Sequence, residues 1–251
     1  MDLVERGAGS GIRHPWETAR RDFIVSLLTK AGLTTSAEWL DVGSGDAWLA
    51  REIASALPST ANVTCCDAFY TQTDLDDLAS TEGPAVHYVS DPAGVEADVM
   101  LLLDVLEHVE DDTAFLSELV AENLRADGRV LITVPAHQRL FSAHDVALQH
   151  HRRYSARGCR EVIDAAGLEV EHEGGFFHAL LAARCLTAGL EKLKGSGNDE
   201  QGVGGWSWGP GVTKLIHGVL RTETRVSEAV GFKGLYIPGL SYWALCRPRP
   251  Q

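Results

Sequence analysis

Short apolar runs bounded by turn residues alternate along this chain with longer amphipathic segments. Apolar runs of this length predict buried strands, whereas the amphipathic segments predict helices. Strands that alternate with helices form a parallel sheet covered on both faces, so the pattern predicts a doubly wound α/β fold. The predicted strands are "AEWLDVG" (37–43), "NVTCCD" (62–67), "AVHYVSD" (85–91), "ADVMLLLDV" (97–105) and "GRVLITVPA" (128–136).

Capping residues predict where the helices begin and end. One helix runs through "AWLAREIASALP" and stops at Pro58. The segment "DDTAFLSELVAENLRADG" has acidic residues in its first turn and Gly128 after its last, which predicts a helix up to that glycine. The segment "SARGCREVIDAAGL" has Ser155 as its N-cap and Gly167 as its stop.

The pattern changes after Phe176. An apolar helix through "FFHALLAARCLTAGLEKLKG" precedes a glycine-rich stretch with two tryptophans (195–211). That stretch is either a lid or a disordered loop. A further helix at about 212–230 and a terminal strand at 242–248 follow.

Net charge and cysteine content indicate which classes of partner and which cellular compartment to expect. The 251 residues fit one large domain, and the net charge of −13 argues against general nucleic-acid binding. Five cysteines without CxxC spacing indicate reduced thiols. Because no apolar signal region and no run of transmembrane length is found, we expect a cytoplasmic protein without integral membrane contact.

Four successive predicted strands end at or near an aspartate, namely Asp41, Asp67, Asp91 and Asp104. A single aspartate after a strand is usually a turn residue. Ligands of doubly wound sheets bind at the carboxyl ends of the strands, so four carboxylates at this edge indicate a polar ligand with hydrogen-bond donors.

The loop "LDVGSGDAW" carries two glycines after the first strand. The third glycine of a dinucleotide fingerprint would fall on Trp48, which is too bulky for close approach of helix and strand. Asp46 suits the helix dipole but repels a pyrophosphate. The loop therefore favours a nucleoside with a positive or zwitterionic tail, and an NAD(P)-dependent oxidoreductase is a disfavoured alternative.

These segments together resemble class I S-adenosylmethionine-dependent methyltransferases. The resemblance covers about residues 36–175 and rests on "EWLDVGSGDAWLA", "CCDA", "ADVMLLLDVLEHVEDD" and "GRVLITVP", with Ala47 where the family commonly has a third glycine. It implies a mostly parallel seven-stranded sheet with a C-terminal helical cap, S-adenosylmethionine as cofactor and S-adenosylhomocysteine as product. It implies cofactor binding by Trp16, Asp41, Gly43, Ser44, Gly45, Asp67, Ala68, Asp91, Asp104 and Val105.

The resemblance also implies individual roles. Asp67 would accept the ribose hydroxyls, and Asp91 either takes the adenine amino group or is a turn residue. Trp16, in "HPWETAR" (14–20), either closes over the cofactor or anchors the first helix. Three segments are expected: an N-terminal helical segment over the cofactor (1–35), a cofactor-binding core (36–176), and a helical cap with a terminal strand returning to the sheet (177–251).

The segment "FSAHDVALQHHRRYS" (141–155) follows the fifth strand and is locally basic. Arginine suits carboxylate or phosphate binding, and histidine suits a general base. We predict His144 and His150 as candidate bases, and His137, Arg152, Arg153 and Tyr154 as substrate-binding residues. A solvated helix face is an alternative reading. A metal site of His144, Asp145, His150 and His151 is a minor alternative, and no metal is predicted. Similar segments in bacterial methyltransferases have a glycine where this chain has Gln149.

The function expected from the resemblance is methyl transfer to oxygen, a hydroxyl or carboxylate, of a small molecule. The acceptor would be a partly hydrophobic, anionic natural product or a lipid or sugar intermediate, and peripheral membrane contact is compatible with the apolar late helix. A non-catalytic S-adenosylmethionine-binding scaffold is a further alternative. The protein is expected to be a monomer or homodimer.

Overall fold

The computed structural model describes residues 14–58, 61–81, 83, 86–194 and 209–250. Seven strands form one sheet. They are β1 (Glu38–Val42), β2 (Asn62–Cys66), β3 (Val86–Val89), β4 (Ala97–Leu103), β5 (Leu124–Pro135), β6 (Leu168–Phe176) and β7 (Ser241–Pro248). The α-helices within these residues are α1 (Pro15–Lys30), α2 (Trp48–Ala56), α3 (Gln72–Ala79), α4 (Asp112–Asn123), α5 (Ala143–Ala147), α6 (Ala156–Ala165), α7 (His178–Lys194) and α8 (Pro210–Gly231).

The strand order is β3-β2-β1-β4-β5-β7-β6. Strands β1 to β5 pair in parallel, whereas β7 is antiparallel to both β5 and β6. The prediction of a doubly wound, mostly parallel seven-stranded sheet is therefore confirmed. The order reverses at β1, because β2 lies on one side of it and β4 on the other. The loops after β1 and β4 therefore run in opposite directions, and ligands of such sheets bind in the crevice between them.

Both faces of the sheet are buried, because alternate residues of each central strand enter different clusters. Leu40 of β1 and Leu102 of β4 pack on one face. Trp39 and Leu101, their neighbours in sequence, pack on the other face with Phe23 of α1. This two-sided burial explains why the central strands are apolar at nearly every position.

The prediction for the end of α4 is wrong. The helix stops at Asn123, and Gly128 lies inside β5. Leu124 already pairs with Ala97 of β4, so tertiary pairing ends the helix before the glycine is reached. Strand β6 was not predicted, because charged residues interrupt the apolar pattern of "LEVEHEGGF".

Capping of α6 agrees with the sequence prediction. The Ser155 side chain accepts a hydrogen bond from the Gly158 amide, and Gly167 has a φ of +76° after the helix.

The predicted lid or disordered loop at 195–211 lies, apart from its last three residues, outside the described residues. Among the helices described, none has the length and apolarity needed to cross a membrane.

Candidate active site

The loop between β1 and α2 lies where the strand order reverses. Gly43 has a φ of +69°, and its amide donates to the carbonyl oxygen of Cys66 at 2.8 Å. A Cβ atom at Gly43 would lie 2.7 Å from Cγ2 of Val105, which follows β4. Only glycine allows both this conformation and this close approach. The loop therefore packs its backbone directly against Val105.

Asp67 connects this loop to the end of β2. Its Oδ2 accepts the Gly45 amide at 2.9 Å, and its Oδ1 accepts the Phe69 amide at 3.0 Å. Each carboxylate oxygen can accept more than one hydrogen bond, so Asp67 keeps acceptor capacity for ligand hydroxyls. Asp67 is nearly buried, and the adjacent Ala68 is exposed.

Tyr70 is a supporting residue that the sequence did not reveal. Its hydroxyl donates to the Gly45 carbonyl oxygen at 2.8 Å and lies 2.8 Å from Oγ of Ser44. The tyrosine is itself buried. Tyr70 therefore holds the glycine loop in place. In the sequence, nothing distinguishes it from an aromatic residue of the core.

Asp41 is a buried carboxyl group on β1. Burial raises its pKa to about 7, and the attraction of the Arg20 guanidinium lowers it only in part. A cationic ligand group beside Asp41 would favour the ionised carboxylate.

Asp104, directly after β4, has a φ of +61° and is held by two neighbours. Nη2 of Arg20 lies 2.8 Å from its Oδ2, and the Thr133 hydroxyl donates to its Oδ1 at 3.0 Å. Arg20 also donates to Oγ1 of Thr133 at 3.2 Å. These contacts place α1 over the carboxyl ends of β4 and β5. Trp16, earlier on α1, is half-buried and contacts the His14 ring.

Asp91 has the geometry of a turn residue. It is exposed, and its Oδ1 accepts the Ala93 amide at 2.9 Å across Pro92. This arrangement matches the turn interpretation, and adenine binding by Asp91 stays a prediction.

The segment 141–155 is organised around buried Asp145. Its Oδ2 accepts the Ser142 amide at 2.9 Å, and its Oδ1 lies 2.7 Å from Nε of Arg153 and 3.1 Å from Nδ1 of His150. Burial alone would raise the pKa of Asp145, but the hydrogen bonds from His150 and Arg153 hold it below its usual value. Asp145 is thus an ionised centre that orients both side chains.

Arg152 has a second aspartate as its partner. Its Nη1 lies 2.9 Å from Oδ2 of Asp112, to which the buried Tyr154 hydroxyl also donates at 2.6 Å. Both arginines predicted to bind an anionic substrate therefore have carboxylate partners within the chain. Their substrate-binding role, like that of Tyr154, stays a prediction.

The remaining predicted residues differ in their surroundings. His137 has a φ of +66°, and its Nε2 lies 3.0 Å from the Gly239 carbonyl oxygen. His144 lies on α5 and is partly exposed. Of the two candidate bases, His150 is the one oriented by a carboxylate.

Glu107 was not predicted as a site residue. It lies in the 3₁₀ helix Leu106–His108 after β4 and is fully buried. Neither of its carboxylate oxygens has a hydrogen-bond partner among the described residues. Burial raises the pKa of Glu107 well above its usual value, and the negative charge of Asp104 adds to this. The "EH" pair after the fourth strand was its signal in the sequence.

A family model described as a methyltransferase domain matches residues 16–173. The chain belongs to the methyltransferase domain family. The match covers the helix that bears Arg20, the glycine loop, and all strands through β5, so it includes the edge of the sheet described above. The sequence-based prediction of an S-adenosylmethionine-dependent methyltransferase is confirmed.

Solved structures support the fold of this methyltransferase. Magnesium protoporphyrin IX methyltransferase from Synechocystis PCC 6803, solved with S-adenosylmethionine, has a TM-score of 0.50 and 18% identity over 68% of this chain and 80% of its own. A candidate sarcosine dimethylglycine methyltransferase from Galdieria sulphuraria has a TM-score of 0.52 and 14% identity over 91% and 84%. The mitomycin 7-O-methyltransferase MmcR has a TM-score of 0.50 and 16% identity over 68% and 60%.

At these identities the likeness is evidence for the fold alone. A comparison with curated proteins finds no match.

Proposed function

We propose that this methyltransferase transfers the methyl group of S-adenosylmethionine to a hydroxyl oxygen of a small-molecule acceptor. The observation that carries the proposal is the glycine loop, which Val105 supports on one side and Asp67 on the other. Packing against Val105 and the hydrogen bond to Asp67 hold this loop at the carboxyl edge of the sheet, where doubly wound folds bind their ligands. The residues present therefore fit the cofactor that the family implies.

Individual residues would hold that cofactor at the edge of the sheet. Asp67 would accept the ribose hydroxyls, for which its oxygens keep capacity. Asp41 would pair with the methionine amino group, whose positive charge would favour the ionised carboxylate against the effect of burial. Phe69, which is 80% exposed beside Asp67, would contact the adenine face.

When bound, S-adenosylmethionine supplies a methyl group on a positively charged sulfur. The protein must then align the acceptor oxygen with that methyl group and exclude water. Asp104 is positioned for this task, because Arg20 and Thr133 fix its side chain after β4. A hydroxyl acceptor also needs activation, since it is poorly ionised at neutral pH.

The Asp145–His150 pair is the best candidate for activating the acceptor. A carboxylate that holds one imidazole nitrogen fixes the orientation of the ring and leaves the other nitrogen for chemistry. His144 has no such partner among the described residues. Because Arg152 and Arg153 already have carboxylate partners, the proposed acceptor needs no anionic group.

Thermal unfolding with S-adenosylmethionine, S-adenosylhomocysteine and NAD, each at saturation, tests the proposal. At a ligand concentration about 100 times Kd, binding should stabilise the fold by about 2.7 kcal/mol. We expect this shift with the first two ligands and none with NAD. No shift with either adenosyl ligand would contradict the proposal. Release of S-adenosylhomocysteine in the presence of hydroxyl acceptors, compared with matched amines, then tests the choice of oxygen.

A further inference from the structure

The buried carboxylate of Glu107 is the group in this region that most needs a partner. Its side chain is fully buried, and neither oxygen accepts a hydrogen bond from another described residue. Leaving a buried polar group unpaired is costly, and buried carboxylates are normally paired or bound to a metal. A ligand at this position would supply the missing interaction.

Two histidines lie beside this carboxylate. One ligand atom each from Glu107, His108 and His150 lie within 4.8 Å of one another. The rings of His108 and His150 meet edge to face, with centroids 4.6 Å apart. Two imidazoles and one carboxylate suit Zn²⁺ and neighbouring transition-metal ions. Metal bonds to these ligand types are about 2.1 Å long, so one cation can contact three donor atoms only when they lie this close together.

Asp145 gives His150 the surroundings of a metal ligand. Histidines that bind metals commonly donate their other ring nitrogen to a carboxylate, which fixes the tautomer. Nδ1 of His150 lies 3.1 Å from Oδ1 of buried Asp145, so Nε2 is the nitrogen left for a metal. Arg153 and Ser142 hold Asp145 in turn. Asp145 would therefore orient a ligand rather than be one.

We propose that Glu107, His108 and His150 bind one divalent transition-metal cation, such as Zn²⁺, next to Asp104. This set shares only His150 with the metal site weighed from the sequence. Two of the three ligands follow β4 and the third follows α5, so the site lies at the edge of the sheet where the methyl group is expected. Three protein ligands leave a coordination position for a further oxygen.

The catalytic part of this inference rests on the proposed function. The acceptor hydroxyl would bind the cation through its oxygen, lose its proton to water, and form the new O–C bond with an oxygen lone pair. The C–S bond would break with its electron pair staying on sulfur, which becomes a neutral thioether. His150 would then act as a metal ligand instead of a proton acceptor.

Metal uptake by the full chain tests the site directly. Protein treated with chelator and dialysed is titrated with Co²⁺, and absorption bands together with elemental analysis give geometry and stoichiometry. We expect one ion per chain, displaced by Zn²⁺. Glu107→Gln and His150→Ala should each weaken binding about tenfold to 100-fold or more. The matched control is His151→Ala, because His151 is adjacent in sequence but exposed.

The results separate the two proposals. Chain that binds S-adenosylhomocysteine but takes up no Co²⁺ overturns the metal site and leaves the proposed function intact. Chain that binds Co²⁺ but no adenosyl ligand supports the site and contradicts the proposed function. Equal Co²⁺ affinity in the wild type and in Glu107→Gln, or an equal loss in His151→Ala, also overturns the site. Circular dichroism of each variant shows whether a loss of binding reflects unfolding. If a ligand variant is unfolded, Asp145→Asn decides instead, and it should weaken Co²⁺ binding about tenfold or more.

Discussion

Nη2 of Arg20 lies 2.8 Å from Oδ2 of Asp104, so a buried guanidinium on α1 is paired with the residue that ends β4. Arg20 is 6% exposed, whereas the Asp104 side chain is 32% exposed. The pair therefore attaches the first helix of the family match to the carboxyl edge of the sheet.

Arg20→Met should lower the free energy of unfolding by about 2 kcal/mol. Removing one partner of a buried ion pair costs about 3–5 kcal/mol, but Asp104 can recover hydration here, which reduces the loss. Urea unfolding measures the change. The control is Arg157→Met, whose partner Glu161 and own side chain are both exposed, and which should cost less than about 0.5 kcal/mol. An equal loss in the two variants would refute the importance of the Arg20 pair.

Gly43→Ala should impair both stability and cofactor binding. The new Cβ atom would lie 2.7 Å from Val105 Cγ2, and φ at this position is +69°. We expect a loss of about 2–3 kcal/mol, combining left-handed strain of about 1 kcal/mol with overpacking. Thermal or urea unfolding gives the loss, and titration with S-adenosylhomocysteine gives the affinity.

Two further variants separate the causes of that loss. Gly94 has a φ of +82° with no atom within 4 Å of an added Cβ, so Gly94→Ala should show the left-handed strain alone. Combining Gly43→Ala with Val105→Ala should restore part of the affinity by removing the contacting methyl groups. If the double variant binds no better than Gly43→Ala, the close approach to Val105 is not the cause.

The sequence predicted those parts of the fold and site that depend on short separations. The apolar runs predicted the central strands, and the loop with Gly43 could be read because its residues are adjacent in the chain. The end of α4 was wrong, because pairing of Leu124 with Ala97 is a tertiary contact that local capping signals do not report. Local pattern is thus reliable where no distant strand competes for the same backbone.

Pairs of distant residues were beyond the sequence. The Tyr154 hydroxyl donates to Asp112 across a separation of 42 residues. Asp112, the partner of Arg152, was predicted only as an acidic residue of a first helical turn, and Asp145, the partner of Arg153, only as a possible metal ligand. The burial of Glu107 was equally invisible, because burial depends on what packs over the residue. Charged residue types could be recognised from the sequence, but their pairing could not.

Asp41 should make stability depend on pH. Its folded pKa of about 7 lies above the ordinary value of an aspartate, which is about 3.9, so the unfolded state ionises first as pH rises. The contribution of Asp41 to stability is therefore fully present below about pH 4 and is lost as the pH rises to about 7. Asp41→Asn removes this loss and should be more stable than the wild type by about 3–4 kcal/mol at pH 8, with little difference at pH 4.

Asp98 provides a control of opposite sign for that experiment. Burial opposes ionisation of Asp98, but hydrogen bonds from the Glu38 amide and from Arg125 outweigh it and lower the pKa. Its contribution is present above about pH 4 and is lost in acid. Asp98→Asn should therefore be less stable than the wild type at pH 7 by about 1–3 kcal/mol. In urea unfolding from about pH 2 to pH 8, the Asp98→Asn difference should develop below about pH 4 and stay constant above it, whereas the Asp41→Asn difference should develop between about pH 4 and pH 7 with the opposite sign. A constant Asp41→Asn difference over that range would contradict the assignment for Asp41.

Asp67→Asn should weaken binding of S-adenosylhomocysteine about tenfold to 100-fold, because hydrogen bonds to a charged group contribute about 1.5–3 kcal/mol. Two effects add here, since the Asp67 carboxylate both accepts the Gly45 amide and would accept the ribose hydroxyls. Asp91→Asn is the matched control at the end of the next strand, where the exposed side chain accepts the Ala93 amide. Isothermal titration should show at most about a threefold change for Asp91→Asn, less than about 0.7 kcal/mol. An equally large loss for Asp91→Asn would identify it as an adenine ligand and contradict the turn interpretation.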